Sequence, residues 1–189
     1  MPEALARFFL ADRQPLVVAG THGKTTTSAM AAKVWSDCGR DPGFLIGGVP
    51  IDLGVSFRCG SGPRFVIEGD EYNAAYFDRG AKFLHYRPET LILTSVEHDH
   101  ADLYPTPESL LAAYSRLIAL VPESGLIVAC GGSAEIRQLA EAARAPVVFY
   151  GEHATNAVRL LGVPEADSSG VRFRLREESG DELAVTMPV

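Results

Sequence analysis

The stretch LVVAGTHGKTT, residues 16–26, joins an apolar run to a glycine-rich turn that leads into a helical pattern. The apolar run stops at Gly20, which is typical of a buried parallel strand, and residues 24–38 predict a helix that ends at Gly39. A strand, a glycine turn and a helix in this order form the opening unit of a parallel α/β fold. This stretch therefore predicts the fold class.

The rest of the chain extends this pattern as far as residue 151 and then departs from it. Helical patterns at 107–121 and 133–144 lie between further apolar runs, so residues 1–151 predict a mostly parallel sheet with helices on both faces. Residues 152–189 contain short strand-like segments with no helix between them, which predicts a small antiparallel sheet. The predicted strands are 44–46, 65–67, 83–86, 91–95, 126–130, 147–150, 157–163, 171–177 and 182–187.

Composition excludes several classes of protein. The 189 residues are 47% hydrophobic and 22% charged, as in an ordinary globular domain. Seventeen basic against 24 acidic residues give a net charge of −7, which disfavours a general nucleic-acid binder. No apolar run approaches the about 20 residues of a membrane-spanning helix. Cys38, Cys59 and Cys130 show neither a pairing pattern nor a metal-binding spacing, so we expect a protein of the reducing cytoplasm.

The turn at residues 20–26 has the features of a phosphate-binding loop. Backbone N–H groups of a glycine turn, together with a helix N-terminus, form a concave anion site. Lys24 would reach the outer phosphates of a nucleotide, and the hydroxyl of Thr25 would ligate magnesium. Val18 occupies the position of the first glycine of the general nucleotide loop, so the match is to a shortened GxxGK[ST] variant. We predict a nucleotide site here.

Acidic side chains follow two other predicted strands. Glu68-Gly69-Asp70-Glu71-Tyr72 comes after the strand at 65–67, and EHDHAD at 97–102 comes after the strand near 91–95. Ligands of parallel sheets bind beyond the carboxyl ends of the strands, where carboxylates would serve a magnesium nucleotide. Either cluster alone is equally well explained as a solvated acidic loop. Zinc is the less favoured metal because no cysteine or histidine elsewhere completes a tight ligand set.

Four segments together resemble the central ATP-binding domain of the Mur ligase family. They are GTHGKTT at 20–26, FVIEGDEYNAAYFD at 65–78, KFLHYRPETLIL at 82–93 and VEHDHADLY at 96–104. Mur ligases join amino acids or peptides to UDP-N-acetylmuramate precursors of the bacterial cell wall. The EYxxAxFD run, continued by KFxHYRP, is more similar to the members that attach the tripeptide L-Ala-γ-D-Glu-meso-diaminopimelate. The L-alanine-adding members are the alternative, and folate-polyglutamating ligases are a more distant one.

The resemblance implies an ADP-forming ligase that uses ATP and Mg²⁺. It implies that Thr25 and Glu68 hold one magnesium ion and that His100 helps to hold a second, near an acyl-phosphate. Lys24, Glu68 and His100 are then the expected catalytic residues. UDP-N-acetylmuramate and a cell-wall tripeptide are the expected partners, with neither nucleic acid nor a membrane involved. The expected nucleotide-binding residues are Gly20, Thr21, His22, Gly23, Lys24, Thr25 and Thr26.

The same resemblance bears on domain organisation. Residues 1–189 have no counterpart of the family's N-terminal UDP-binding domain or of its C-terminal ligase domain. We therefore expect a single central domain that has negligible ligase activity alone. A hypothesis from another class is a non-catalytic nucleotide-binding regulatory module. The base-reading NKxD motif of switch GTPases is not present in the sequence.

Overall fold

The computed structural model describes residues 1–99 and 101–187. The chain starts with helix α1 (Pro2–Leu5), which continues as a π-helical turn over Ala6–Leu10. The longer helices are α2 (Lys24–Asp37), α3 (Pro107–Ala119) and α4 (Ala134–Ala140). The strands are β1 (Gln14–Ala19), β2 (Gly43–Leu45), β3 (Phe57–Arg58), β4 (Arg64–Gly69), β5 (Thr90–Leu93), β6 (Leu126–Cys130), β7 (Val147–Gly151), β8 (Val158–Asp167), β9 (Gly170–Glu177) and β10 (Glu182–Met187).

All ten strands form one sheet in the order β10-β9-β8-β7-β6-β5-β1-β4-β2-β3. Neighbouring strands are parallel throughout the run β8-β7-β6-β5-β1-β4-β2. Strands β3, β9 and β10 are antiparallel to their neighbours. Strand β1 lies between β4 and β5, with Ala19 opposite both Gly69 and Leu93. The carboxyl ends of these three strands therefore lie side by side, at one edge of the sheet.

Side chains alternate across the sheet and build a core on each face. Leu16 and Val18 of β1 face one side, where Ala32 of α2 packs against them. Val17 and Ala19 face the other side, which is covered by α3 and α4 through residues such as Leu117. Helices thus cover both faces, and the predicted fold class is confirmed. Among the described residues, no helix combines the length and the apolar character that crossing a membrane requires.

The C-terminal strands refine one prediction. They are antiparallel to one another, as expected, but they continue the main sheet, because Tyr150 of β7 pairs in parallel with Val158 of β8. Strands β9 and β10 then add to the outer edge of β8.

The apolar segment 83–86 is not the strand that its composition predicts. Residues Lys82–His85 form a 3₁₀ helix, and the fully buried ring of Phe83 packs on Tyr114 with ring centroids 5.4 Å apart. A short apolar run does not distinguish a strand from another buried segment, since both bury the same side chains. The two-residue strand β3 was not predicted either, and α4 ends four residues before the predicted boundary.

Candidate functional site

The turn between β1 and α2 is held in a backbone conformation that glycine favours. Gly20 has φ +143° and Gly23 has φ +78°, both in the region that other residues rarely adopt. A Cβ atom on Gly20 would lie 2.2 Å from Oγ1 of Thr94, so the loop also packs too closely for a side chain. Helix α2 begins beside this turn, and among the described residues no side chain caps its first N–H groups. These N–H groups can donate hydrogen bonds to an anion, as the sequence predicted.

The segment Thr94–Glu97, which follows β5, fixes this loop by a set of hydrogen bonds that we call the clasp. The N–H groups of Thr21 and His22 donate to the backbone oxygen and to Oγ of Ser95, each at 2.9 Å. Thr94 Oγ1 donates to the carbonyl of His22 at 2.5 Å. The N–H of Glu97 donates to Oγ1 of Thr21 at 2.9 Å. The clasp therefore engages the N–H groups of Thr21 and His22 and leaves anion binding to those that follow.

Glu68 lies at the carboxyl end of β4 and contacts the start of α2. Oγ1 of Thr25 donates to Oε1 of Glu68 at 2.9 Å, and the N–H of Gly47 donates to Oε2 at 2.8 Å. Each carboxylate oxygen thus accepts one hydrogen bond and keeps a lone pair for another partner. The structure brings Thr25 and Glu68 together at the edge where the sequence predicted a metal site.

Lys24 forms an ion pair that sequence reasoning missed. Its Nζ lies 3.0 Å from Oε2 of Glu71, and it also donates to the carbonyls of Gly20 at 2.7 Å and Thr21 at 3.3 Å. The side chain of Lys24 is 14% exposed and that of Glu71 only 2%, so the pair is largely shielded from water. Glu71 belongs to the acidic cluster at 68–72, but the sequence held no signal that this carboxylate turns inward.

Two tyrosines lie near Glu71. The hydroxyl of Tyr104 donates to the backbone oxygen of Glu71 at 2.7 Å. Burial raises the pKa of the Tyr104 and Tyr114 hydroxyls, and the negative charge of Glu71 raises both further. Both phenols are therefore neutral at pH 7.

The other acidic residue of the cluster, Asp70, has a different partner. Its Oδ2 lies 2.7 Å from Nζ of Lys82, whose ammonium lies 5.7 Å from the centre of the Tyr72 ring. Asp70 is thus paired with Lys82, whereas Glu68 and Glu71 of the same cluster contact the loop residues Thr25 and Lys24.

The predicted metal ligand His100 lies outside the described residues. Within residues 1–99 and 101–187, no three histidine, cysteine, aspartate or glutamate side chains gather as a metal-ion cage. Magnesium does not require one, since it commonly binds one or two carboxylates together with water and substrate phosphates. The hard oxygen donors of Thr25 and Glu68 fit such an ion.

Space for a ligand adjoins the clasp. A cleft of about 640 Å³ lies beyond β5 and β6, between the clasp and the start of α4. Its wall includes Glu97 and His98 from the clasp side, Leu110 from α3 and Ser133 at the start of α4. This volume is in the range of small-molecule sites in proteins.

Comparison with known proteins places these features in one family. A family model described as the Mur ligase middle domain matches residues 18–189. The chain is 48% identical over 127 residues to the UDP-N-acetylmuramate–L-alanyl-gamma-D-glutamyl-meso-2,6-diaminoheptandioate ligase of Escherichia coli K12, which covers 67% of this chain and 28% of that protein. It is 41% identical over 162 residues to the UDP-N-acetylmuramate–L-alanine ligase of Renibacterium salmoninarum, covering 84% of this chain and 33% of that protein. The chain thus spans about a third or less of the length of these relatives.

A solved structure agrees over the whole chain. The UDP-N-acetylmuramate:L-alanyl-gamma-D-glutamyl-meso-diaminopimelate ligase of Neisseria meningitidis superimposes with a TM-score of 0.88 at 36% identity. The match covers all of this chain and 59% of that structure.

Proposed function

This chain belongs to the Mur ligase family, and on that premise we propose that it supplies the ATP site of an ADP-forming amide ligase. The observation that carries the proposal is the shared edge of the sheet, where the loop after β1, Lys24, Thr25 and Glu68 lie together. A lysine, a hydroxyl and a carboxylate around an uncapped helix N-terminus are the groups that phosphoryl transfer requires.

The donor set supports magnesium as the ion that accompanies ATP. Thr25 and Glu68 would hold it through oxygen atoms, and we propose that His100 would add a ligand for a second ion. Magnesium at this place would neutralise charge on the transferring phosphoryl group and its oxygens. Lys24 would contribute the fixed positive charge of the protein, and the N–H groups from Gly23 onward would orient the phosphates.

We propose that the acceptor of the phosphoryl group is the carboxylate of UDP-N-acetylmuramate. The γ-phosphoryl group of ATP would move to a carboxylate oxygen, giving an acyl-phosphate and ADP. The amine of the tripeptide L-Ala-γ-D-Glu-meso-diaminopimelate would then attack the acyl carbon, form the amide and release phosphate. The identity of 48% to the E. coli ligase that is named for this tripeptide supports this choice of substrate.

The chain is proposed to act as one domain of a longer enzyme. It spans 28% of the E. coli relative, so the UDP group and the incoming amine are proposed to bind elsewhere in the full-length protein. We expect the 189-residue chain alone to bind nucleotide weakly and to form no ligated product. Because the proposed reaction consumes ATP, we also propose a cytoplasmic location.

The experiment that tests the proposal is a ligation assay of the full-length enzyme. Purified protein is supplied with ATP, Mg²⁺, UDP-N-acetylmuramate and either the tripeptide or L-alanine, and the product is identified by mass spectrometry. We expect the tripeptide product, and we expect Lys24→Met to remove it.

Two other outcomes would each replace the proposal. Preference for L-alanine would assign the second candidate, which the 41% identity to the R. salmoninarum ligase favours. Nucleotide binding without any ligation would instead indicate a regulatory module.

A further inference from the structure

The ammonium group of Lys24 has no N–H donor to spare in this structure. A lysine ammonium carries three donors and accepts nothing. The carbonyl oxygens of Gly20 and Thr21 lie 2.7 and 3.3 Å from Nζ, and the Glu71 carboxylate contacts it at 3.0 to 3.2 Å. Three acceptor groups thus match three donors. A phosphate can be bound by Lys24 only if one of these partners is exchanged.

Glu71 is well placed to hold Lys24 in this retracted position. Its side chain is 2% exposed, so little water screens the attraction between the two charges. The hydroxyl of Tyr104 anchors the backbone of Glu71 at 2.7 Å, and the preceding residue is tied to Lys82. The backbone that carries Glu71 is therefore held by contacts that do not involve Lys24.

We propose that Glu71 is a positioning residue that competes with bound phosphates for the ammonium of Lys24. It holds the lysine back while the site is empty and draws it back when the product ADP leaves. This inference rests on the proposed function, because it assumes that the loop binds ADP. It assigns to Glu71 a control of nucleotide release, distinct from the proposed metal-binding role of Glu68.

Coulomb's law gives the sign and the size of the effect. A phosphate oxygen that accepts from the same ammonium at about 2.8 Å lies within about 6 Å of the Glu71 carboxylate. At an effective dielectric constant of about 20, two negative charges at this distance repel each other. The repulsion energy is larger than the free energy that corresponds to a tenfold change in affinity. Removal of the Glu71 charge should therefore tighten ADP binding.

The test is Glu71→Gln, which keeps the shape and one acceptor oxygen but removes the charge. ADP affinity and dissociation rate are measured on the 189-residue chain by calorimetry and by displacement of a fluorescent ADP analogue. We expect ADP to bind about tenfold tighter and to dissociate more slowly than from the wild type. The matched control is Asp37→Asn, which removes a carboxylate from the exposed pair with Lys33 and should leave ADP affinity unchanged.

The direction of the change separates this proposal from a merely structural role. A variant with a damaged loop would bind ADP more weakly, and weaker or unchanged binding by folded Glu71→Gln would overturn the proposal. Lack of ADP binding by the wild-type chain and by the full-length enzyme alike would instead count against the proposed function.

A second measurement needs no nucleotide. The chain has three lysines, Lys24, Lys33 and Lys82, so the nitrogen-15 NMR signals of their ammonium groups can be assigned by mutation. The Lys24 ammonium should exchange its protons slowly in the wild type and markedly faster in Glu71→Gln. Equal exchange in the two proteins would show that Glu71 does not hold the lysine, whatever the chain binds.

Discussion

The hydroxyl of Thr25 donates a 2.9 Å hydrogen bond to Oε1 of Glu68, although 43 residues separate the two in sequence. The contact follows from the topology, because β1 and β4 are parallel neighbours in which Val18 lies opposite Glu68. The end of β4 therefore reaches the first turn of α2, which starts beyond the end of β1. The topology of the sheet thus makes the two oxygen donors of the proposed magnesium site adjacent.

Glu68 should be essential for catalysis and nearly dispensable for folding. We expect Glu68→Gln in the full-length enzyme to lower kcat by about 100-fold or more, since an amide is a poor ligand for magnesium. The free energy of unfolding should change by less than about 1 kcal/mol, because the side chain is only half-buried and contributes little packing. A coupled enzyme assay of ADP formation measures kcat, and urea unfolding measures the free energy of unfolding.

The control for Glu68 is Glu123→Gln, at an exposed position between α3 and β6. This variant should match the wild type in both measurements. Full activity of Glu68→Gln at ordinary magnesium concentrations would remove Glu68 from the proposed site.

Local signals explain how much of the fold could be predicted from the sequence. An apolar run, two glycines and a helical pattern follow one another and together encode the order of β1, loop and α2. The predicted boundaries of β1 and α2 agree with the structure within about two residues. The proximity of Thr25 and Glu68 was also predictable, since parallel strands end at the same edge.

The rest depended on contacts between distant segments. Contacts with distant residues decide which carboxylate of the 68–72 cluster turns toward Lys24. Asp70 pairs with Lys82, and the hydroxyl of Tyr104 binds the backbone of Glu71, 33 residues away in sequence. The 3₁₀ helix at Lys82–His85 is likewise favoured by the packing of Phe83 on Tyr114. Neither contact has a signature within its own segment.

The turn between β8 and β9 gives a prediction about pH. Oδ1 of Asp167 accepts hydrogen bonds from the hydroxyl of Ser169 at 2.6 Å and from its N–H at 2.8 Å, and Arg172 binds the other oxygen. These partners lower the pKa of Asp167 from 3.8 to about 2. A lowered folded-state pKa adds stability above the unfolded value that is lost as the pH falls through the folded one.

Asp167→Asn should therefore lower the Tm at pH 6, and the difference from the wild type should shrink between about pH 4 and pH 2. A carbon-13 NMR titration of the Asp167 carboxyl group measures the cause directly. A midpoint near 4 in the folded protein would contradict the assigned hydrogen bonds.

Gly20 and Gly39 should respond very differently to the same substitution. Both have positive φ, but a Cβ on Gly20 would lie 2.2 Å from Thr94 Oγ1, whereas at Gly39 no described atom lies within 4 Å of it. We expect Gly39→Ala to cost about 1 kcal/mol of unfolding free energy, from backbone strain alone. Gly20→Ala should cost more than about 3 kcal/mol, because strain and overlap add. Chemical unfolding compares the two, and equal costs would show that the clasp does not pack on the loop as described.

The clasp should set nucleotide affinity through Ser95. Its hydroxyl accepts the N–H of His22 at 2.9 Å, and Ser95→Ala would leave this N–H without that acceptor. Loss of one such bond costs about 1 kcal/mol and loosens the turn ahead of the donors that would bind phosphate. We expect ATP to bind about threefold to tenfold more weakly to Ser95→Ala, by calorimetry on the full-length enzyme, since one kcal/mol is about a factor of five.

Ser36→Ala removes a comparable hydroxyl, bonded to Ala32 at 2.8 Å near the far end of α2, and should leave the affinity unchanged. Equal affinities of Ser95→Ala and the wild type would mean that the loop keeps its shape without the clasp.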